Sequence, residues 1–86
     1  MYKNNNLPPA KLGLDPVATG KRIRAIAKMK GMTVEEIAKE MGYTVQAVYK
    51  WYYGKGLPSL ESAYVLSKVL DVSMESLLVP IIKKPP

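Results

Sequence analysis

Residues 33–53, TVEEIAKEMGYTVQAVYKWYY, decide how the rest of the chain is read. Thr33 is an N-cap residue whose hydroxyl can accept from the free amides of a first helical turn. Glu36, three positions on, completes the reciprocal capping box. Ile37, Ala38 and Met41 then recur at helical spacing. Gly42 follows; it has no Cβ, takes positive φ without a clash, and can stop a helix within one residue. Tyr43 and Thr44 turn the chain, and Thr44 caps a second helix in which Val48 and Trp51 face inward. That leaves Val45, Gln46, Tyr49, Lys50 and Tyr53 facing outward. The stretch predicts two short helices around a tight glycine turn, the second displaying polar and aromatic groups.

Working outward, the flanks supply three more helices. Asp15 is an N-cap and Pro16 suits a first helical position, so a helix is expected over 16–30, ended by Gly31. Its apolar face is Ile23, Ile26 and Ala27, with Val17 and Gly20 a turn earlier. After residue 53, GKGLP marks a loop. Ser59 caps a helix over 60–70, with Leu60, Ala63, Tyr64, Leu66, Ser67 and Leu70 facing inward. Ser73 caps a short helix over 74–78, and Pro80 prevents its continuation. Residues 1–15, with NNN and two prolines, are expected to be a flexible arm. The domain then spans 16–79 and a tail spans 80–86. The fold class is all-α, with five helices.

On these residues the stretch resembles the helix-turn-helix of Cro and lambda-repressor-type (XRE family) DNA-binding proteins. The family's small residue four before the turn glycine matches Ala38, with Gly42 as the turn. Its apolar positions match Ile37, Met41, Tyr43, Val48 and Trp51. The likeness runs from about Gly20 to Leu78. It implies a five-helix lambda-repressor-like domain whose second motif helix enters the major groove of duplex DNA. Matched to that motif, the base-contacting candidates are Thr44, Val45, Gln46, Tyr49, Lys50 and Tyr53. Gln46 can pair bidentately with adenine, Lys50 can donate to guanine O6 and N7, and Val45 can pack a thymine methyl. Lys21, Arg22 and Lys55 are the phosphate-contacting candidates.

The chain departs from the family pattern in three places. Val34 stands where a glutamine commonly bonds a phosphate, and GKGLP is less basic than the usual loop. Ala27 and Tyr52 replace an arginine–glutamate pair, losing both partners together and stranding no buried charge. Tyr52 is expected to fill the space over Ala27. The resulting electrostatic clamp is thin, and a homodimer on paired half-sites about 34–36 Å apart would compensate. Leu77, Leu78, Val79, Ile81 and Ile82 are the candidate dimer surface.

Composition restricts the other classes. The chain has 86 residues, no cysteine and no histidine, which excludes disulfides, zinc fingers and histidine-based catalysis. No cofactor, metal or small-molecule ligand is expected, and no apolar run approaches the roughly 20 residues of a membrane span. A soluble cytoplasmic protein is the expectation. Thirteen basic residues against seven acidic ones give a net charge of +6. The positive charge gathers in the N-terminal half with Lys50 and Lys55, whereas residues 59–79 carry a net −2. That asymmetry suits a polyanion on one face. The alternative is a protein-interaction module, antitoxin-like or adaptor, using a Tyr49, Tyr52 and Tyr53 face. Single-stranded nucleic acid stacking on the tyrosines is a third reading. An enzyme fits worst: Glu35, Glu36 and Glu40 are accounted for by capping and exposure, and GKG lacks the spacing of a phosphate loop.

Overall fold

A capping side chain begins each helix of the computed structural model, which describes residues 13–81. The helices are α1 (Pro16–Met29), α2 (Val34–Met41), α3 (Val45–Tyr52), α4 (Leu60–Leu70) and α5 (Met74–Leu77). Asp15, Thr33, Thr44, Ser59 and Ser73 each accept a bond from the amide three residues on, at 3.0–3.1 Å. Glu36 Oε1 accepts from the Thr33 amide at 2.9 Å, which closes the capping box. Such a cap typically contributes about 1 kcal/mol. The expected all-α, five-helix architecture is the one observed, with no strand among the described residues beyond a single bridge.

Ile23 and Ala27 of α1, Ile37, Ala38 and Met41 of α2, and Val48, Trp51 and Tyr52 of α3 form one buried cluster with Leu66, Leu70 and Leu77. Around it α1 packs on α3 and α5, α2 packs on α3 and α4, and α4 packs on α5. The inward face expected for α4 needs correction. Leu60 is 79% exposed and Tyr64 54% exposed, while Ser62 is buried in their place. Ser62 is usable inside because its hydroxyl is shared, 2.6 Å from the Tyr43 hydroxyl and 2.8 Å from Ser59 Oγ. Val17 is likewise more than half exposed rather than part of the α1 inner face.

Two close approaches depend on glycine. Gly20 of α1 lies against the C-terminal end of α3; a Cβ there would strike the Trp51 carbonyl oxygen and come within 2.7 Å of the Tyr52 carbonyl oxygen. Gly54 follows α3 at φ 68°, and its Cβ position would be 2.8 Å from Val17 Cα. Together they let α1 and the end of α3 meet backbone to backbone.

The two ends of the described chain are also joined. Leu14 and Pro80 form an antiparallel bridge. The Asp15 amide donates to Val79 O at 2.8 Å and the Ile81 amide to Gly13 O at 2.9 Å. Inside this pair the buried Thr19 Oγ1 accepts from the Val79 amide at 3.0 Å. Gly13–Asp15 and Pro80–Ile81 are thus joined to the helical body, so the arm and tail expected over 1–15 and 80–86 give up their inner ends to it. The remainder of both lies outside the described residues.

Candidate nucleic-acid interface

The α2–α3 pair is built as its sequence requires. Gly42 ends α2 in the left-handed region, at φ 72° and ψ 29°. The Tyr43 amide donates back to Ala38 O at 2.9 Å, which satisfies a carbonyl left open by the helix end. Tyr43 then bolts the turn to the domain, with its ring 5.8 Å from that of Trp51 and its hydroxyl on Ser62. With Val48 and Trp51 buried beneath it, α3 is held on one side by apolar packing and on the other faces solvent.

The six candidate base-contacting residues divide on this helix. Gln46, Lys50 and Tyr53 are exposed, and Tyr49 is just exposed. Thr44 is exposed, but its hydroxyl already accepts from the Ala47 amide as the cap. Val45, expected to face outward, is half-buried and packs against the core cluster, so only one edge of it is free. Lys50 does not stand away from the helix. Its stem crosses Gly56, with Cε 2.6 Å and Nζ 3.5 Å from the position a Cβ would take there. The Lys55 amide donates to Lys50 O at 3.0 Å, which brings that loop lysine to the same end of α3.

The tyrosines do not form the three-ring exposed face that their spacing suggests. Tyr52 is buried in the same core cluster as Ala27. Tyr49 and Tyr53 stack in parallel, with centroids 5.8 Å apart and planes 8° from coincident, and Tyr49 meets Tyr52 edge-on at 6.3 Å. Burial pushes the Tyr52 phenol above its ordinary value; the Arg24 guanidinium draws it part of the way back, and Tyr49 adds to the rise. Arg24, which sequence reasoning did not single out, therefore stands at the α1–α3 edge. Its place one helical turn before Ala27 was the available signal.

Among the phosphate candidates, Lys21 and Lys55 are exposed. Arg22 is directed elsewhere: its Nη1 donates to Ser76 O at 3.0 Å and ties α1 to the end of α5. The candidate dimer surface also needs correction. Leu77 is 0% exposed and belongs to the core, because α5 folds back onto α1 and α4 and turns this residue inward. Leu78, Val79 and Ile81 are half-buried. Ile82 lies outside the described residues.

Comparison with known proteins agrees with this geometry. The helix-turn-helix family model matches residues 23–77. The chain is 38% identical over 61 residues to an uncharacterized HTH-type transcriptional regulator, YazB, of Bacillus subtilis strain 168, covering 71% of this chain and 88% of YazB. It is 32% identical over 57 residues to the HTH-type transcriptional activator BcrR of Enterococcus faecalis, covering 66% of this chain but only 28% of BcrR. Two solved structures superpose well. The restriction-modification controller protein C.AhdI from Aeromonas hydrophila has a TM-score of 0.70 at 28% identity, over 73% of this chain and 96% of C.AhdI. The P22 c2 repressor, in complex with a synthetic operator, has a TM-score of 0.66 at 32% identity, over 70% of this chain and 91% of the repressor.

Proposed function

The chain belongs to the helix-turn-helix family of DNA-binding transcriptional regulators, and from that premise we propose that it is a small repressor that binds a specific duplex operator as a homodimer. The observation that carries this reading is the exposed face of α3, which carries Gln46, Tyr49 and Lys50 on a helix fixed by Val48 and Trp51. A major groove about 12 Å wide admits one such helix. Gln46 addresses adenine and Lys50 guanine, Thr44 and the free edge of Val45 meet bases nearer the start of the helix, and Tyr53 stands at its far end. Lys55, in the loop that follows α3, and the exposed Lys21 of α1 supply phosphate contacts. Arg22 is left to its structural bond with Ser76.

Repression needs only occupancy. A domain seated in the groove excludes other proteins from the same stretch of duplex, and no catalytic group is called on. Dimerisation uses the half-buried Leu78, Val79 and Ile81 and doubles a modest set of contacts. On this reading the site of action is the cytoplasm.

The test is enrichment from a random duplex pool at near-physiological salt. A motif with two-fold symmetry and half-site centres about one helical turn apart is the expected result. If no sequence is enriched and residual binding vanishes with modest added salt, the proposal fails. The stacked Tyr49–Tyr53 pair then becomes the place to look for a protein partner.

A further inference from the structure

The backbone at Gly56 carries no conformational demand for glycine. Positive φ among the described glycines is confined to Gly31, Gly42 and Gly54. Space is what singles Gly56 out. A Cβ on it would come to 2.6 Å from Lys50 Cε, 3.5 Å from Nζ and 3.6 Å from Cδ, and no backbone atom is among those nearest neighbours. The Lys50 stem therefore lies across the bare Cα of Gly56. The adjoining bond from the Lys55 amide to Lys50 O keeps the loop against that turn of α3.

We propose that Gly56 is a positioning residue for base recognition: its missing side chain is the slot that holds the Lys50 ammonium at a fixed place beside the groove-facing surface of α3. This inference rests on the base-reading role proposed for Lys50. A lysine has four rotatable bonds, and a free one must give up most of that freedom to hold a bidentate contact. Leaning on the loop removes part of the freedom beforehand, so more of the contact appears as discrimination. A methyl group at residue 56 displaces the stem while leaving the chemistry of the Lys50 side chain unaltered. Selectivity at the Lys50 base pair is then set jointly by α3 and by the loop that follows it.

The experiment is a double-mutant cycle of Gly56→Ala, Lys50→Ala and the pair, with wild type as reference. Each is read on the motif that wild type enriches from a random duplex pool and on all single base-pair variants of it. Gly56→Ala is expected to shift the melting midpoint by no more than about 2–4 °C. It should lower discrimination roughly three- to tenfold at one base pair of each half-site. Lys50→Ala should lose preference at that same base pair, and Gly56→Ala should add nothing in its background. In the free wild-type protein, a nuclear Overhauser contact between the Lys50 ε-methylene and the Gly56 α-protons is expected, and it should be lost in Gly56→Ala.

Unchanged discrimination in Gly56→Ala would overturn the proposal, as would a uniform loss on every duplex or a loss that persists without Lys50. Absence of the Overhauser contact overturns it independently of DNA. If wild type enriches no motif, base recognition itself fails. An enriched motif with an indifferent Gly56→Ala leaves base recognition standing and removes only the role of Gly56.

Discussion

Gly20→Ala separates local propensity from tertiary contact, because the two predict opposite signs. Within a helix, alanine is favoured over glycine by roughly 0.8–1 kcal/mol, so α1 alone would be stabilised. In the folded domain the new methyl group meets the carbonyl oxygens of Trp51 and Tyr52. Overpacking typically costs about 1–3 kcal/mol, and backbone oxygens at a helix end cannot rotate aside as a side chain can. The cost therefore falls in the upper part of that range, and after the propensity gain a net loss of about 1–2 kcal/mol is expected. A core of this size supplies only roughly 3–5 kcal/mol in all. At about 4–8 °C per kcal/mol the melting midpoint should fall by roughly 5–15 °C. Thermal and urea unfolding followed by helical circular dichroism would measure it. The exposed Ala25→Gly serves as the reference for propensity in the same helix. A Gly20→Ala protein as stable as wild type, or more so, would refute the idea that α1 and α3 meet backbone to backbone at Gly20.

The Tyr52 phenol, raised by burial, links stability to alkaline pH. Its folded value lies above the unfolded one near 10, so its contribution is intact below pH 10 and declines as pH rises through the folded value; Tyr52→Phe should flatten that decline in urea titrations at pH 9–11. Ser62→Ala should cost about 1–2 kcal/mol by leaving the Tyr43 and Ser59 hydroxyls without their shared partner. In urea unfolding, Tyr43→Phe should add less to it than it costs alone, and full additivity would deny that the network exists. Lys55→Ala should weaken binding to all duplexes alike and reduce the slope of log K against log salt by about 1, whereas Gln46→Ala should relax preference at a single base pair. A sequence-specific loss from Lys55→Ala would contradict the proposed division between phosphate and base contacts.

The helices could be located from sequence because their signals are local. Asp15, Thr33, Thr44, Ser59 and Ser73 announce each start, and the ends expected at 30, 70 and 78 fall within one residue of those observed. The outward face of α3 was legible for the same reason except at Val45, since Val48 and Trp51 define its inner side. The register of α4 was not. Apolar residues occupy several of its faces, and only packing against α2 and α5 decides that Leu60 and Tyr64 turn out while Ser62 turns in. The long-range bonds were equally hidden. Thr19 meets Val79 across 60 positions and Arg22 meets Ser76 across 54, and no periodicity records such a meeting. Arg22 was thus available on composition for a phosphate and is spent on a carbonyl. The lean of Lys50 on Gly56 follows from the path of the loop, which its sequence marks as a turn without giving its course.

The pairing of Gly13–Asp15 with Val79–Ile81 has a mechanical consequence. Because the two segments run antiparallel, Gly13 and Ile81 lie side by side at the same end of the pair. Tension applied through the chain on either side would load the bonds one after another, as in a zip, instead of shearing them together. The Ile81–Gly13 bond would part first, then the Asp15–Val79 bond, then the Thr19 tie, and next the Arg22 hold on Ser76. The domain is therefore soft along the line joining its own ends. What yields there is the seam between α1 and α5, while the α2–α3 pair, fastened by Tyr43 to α4, lies off the path of the force.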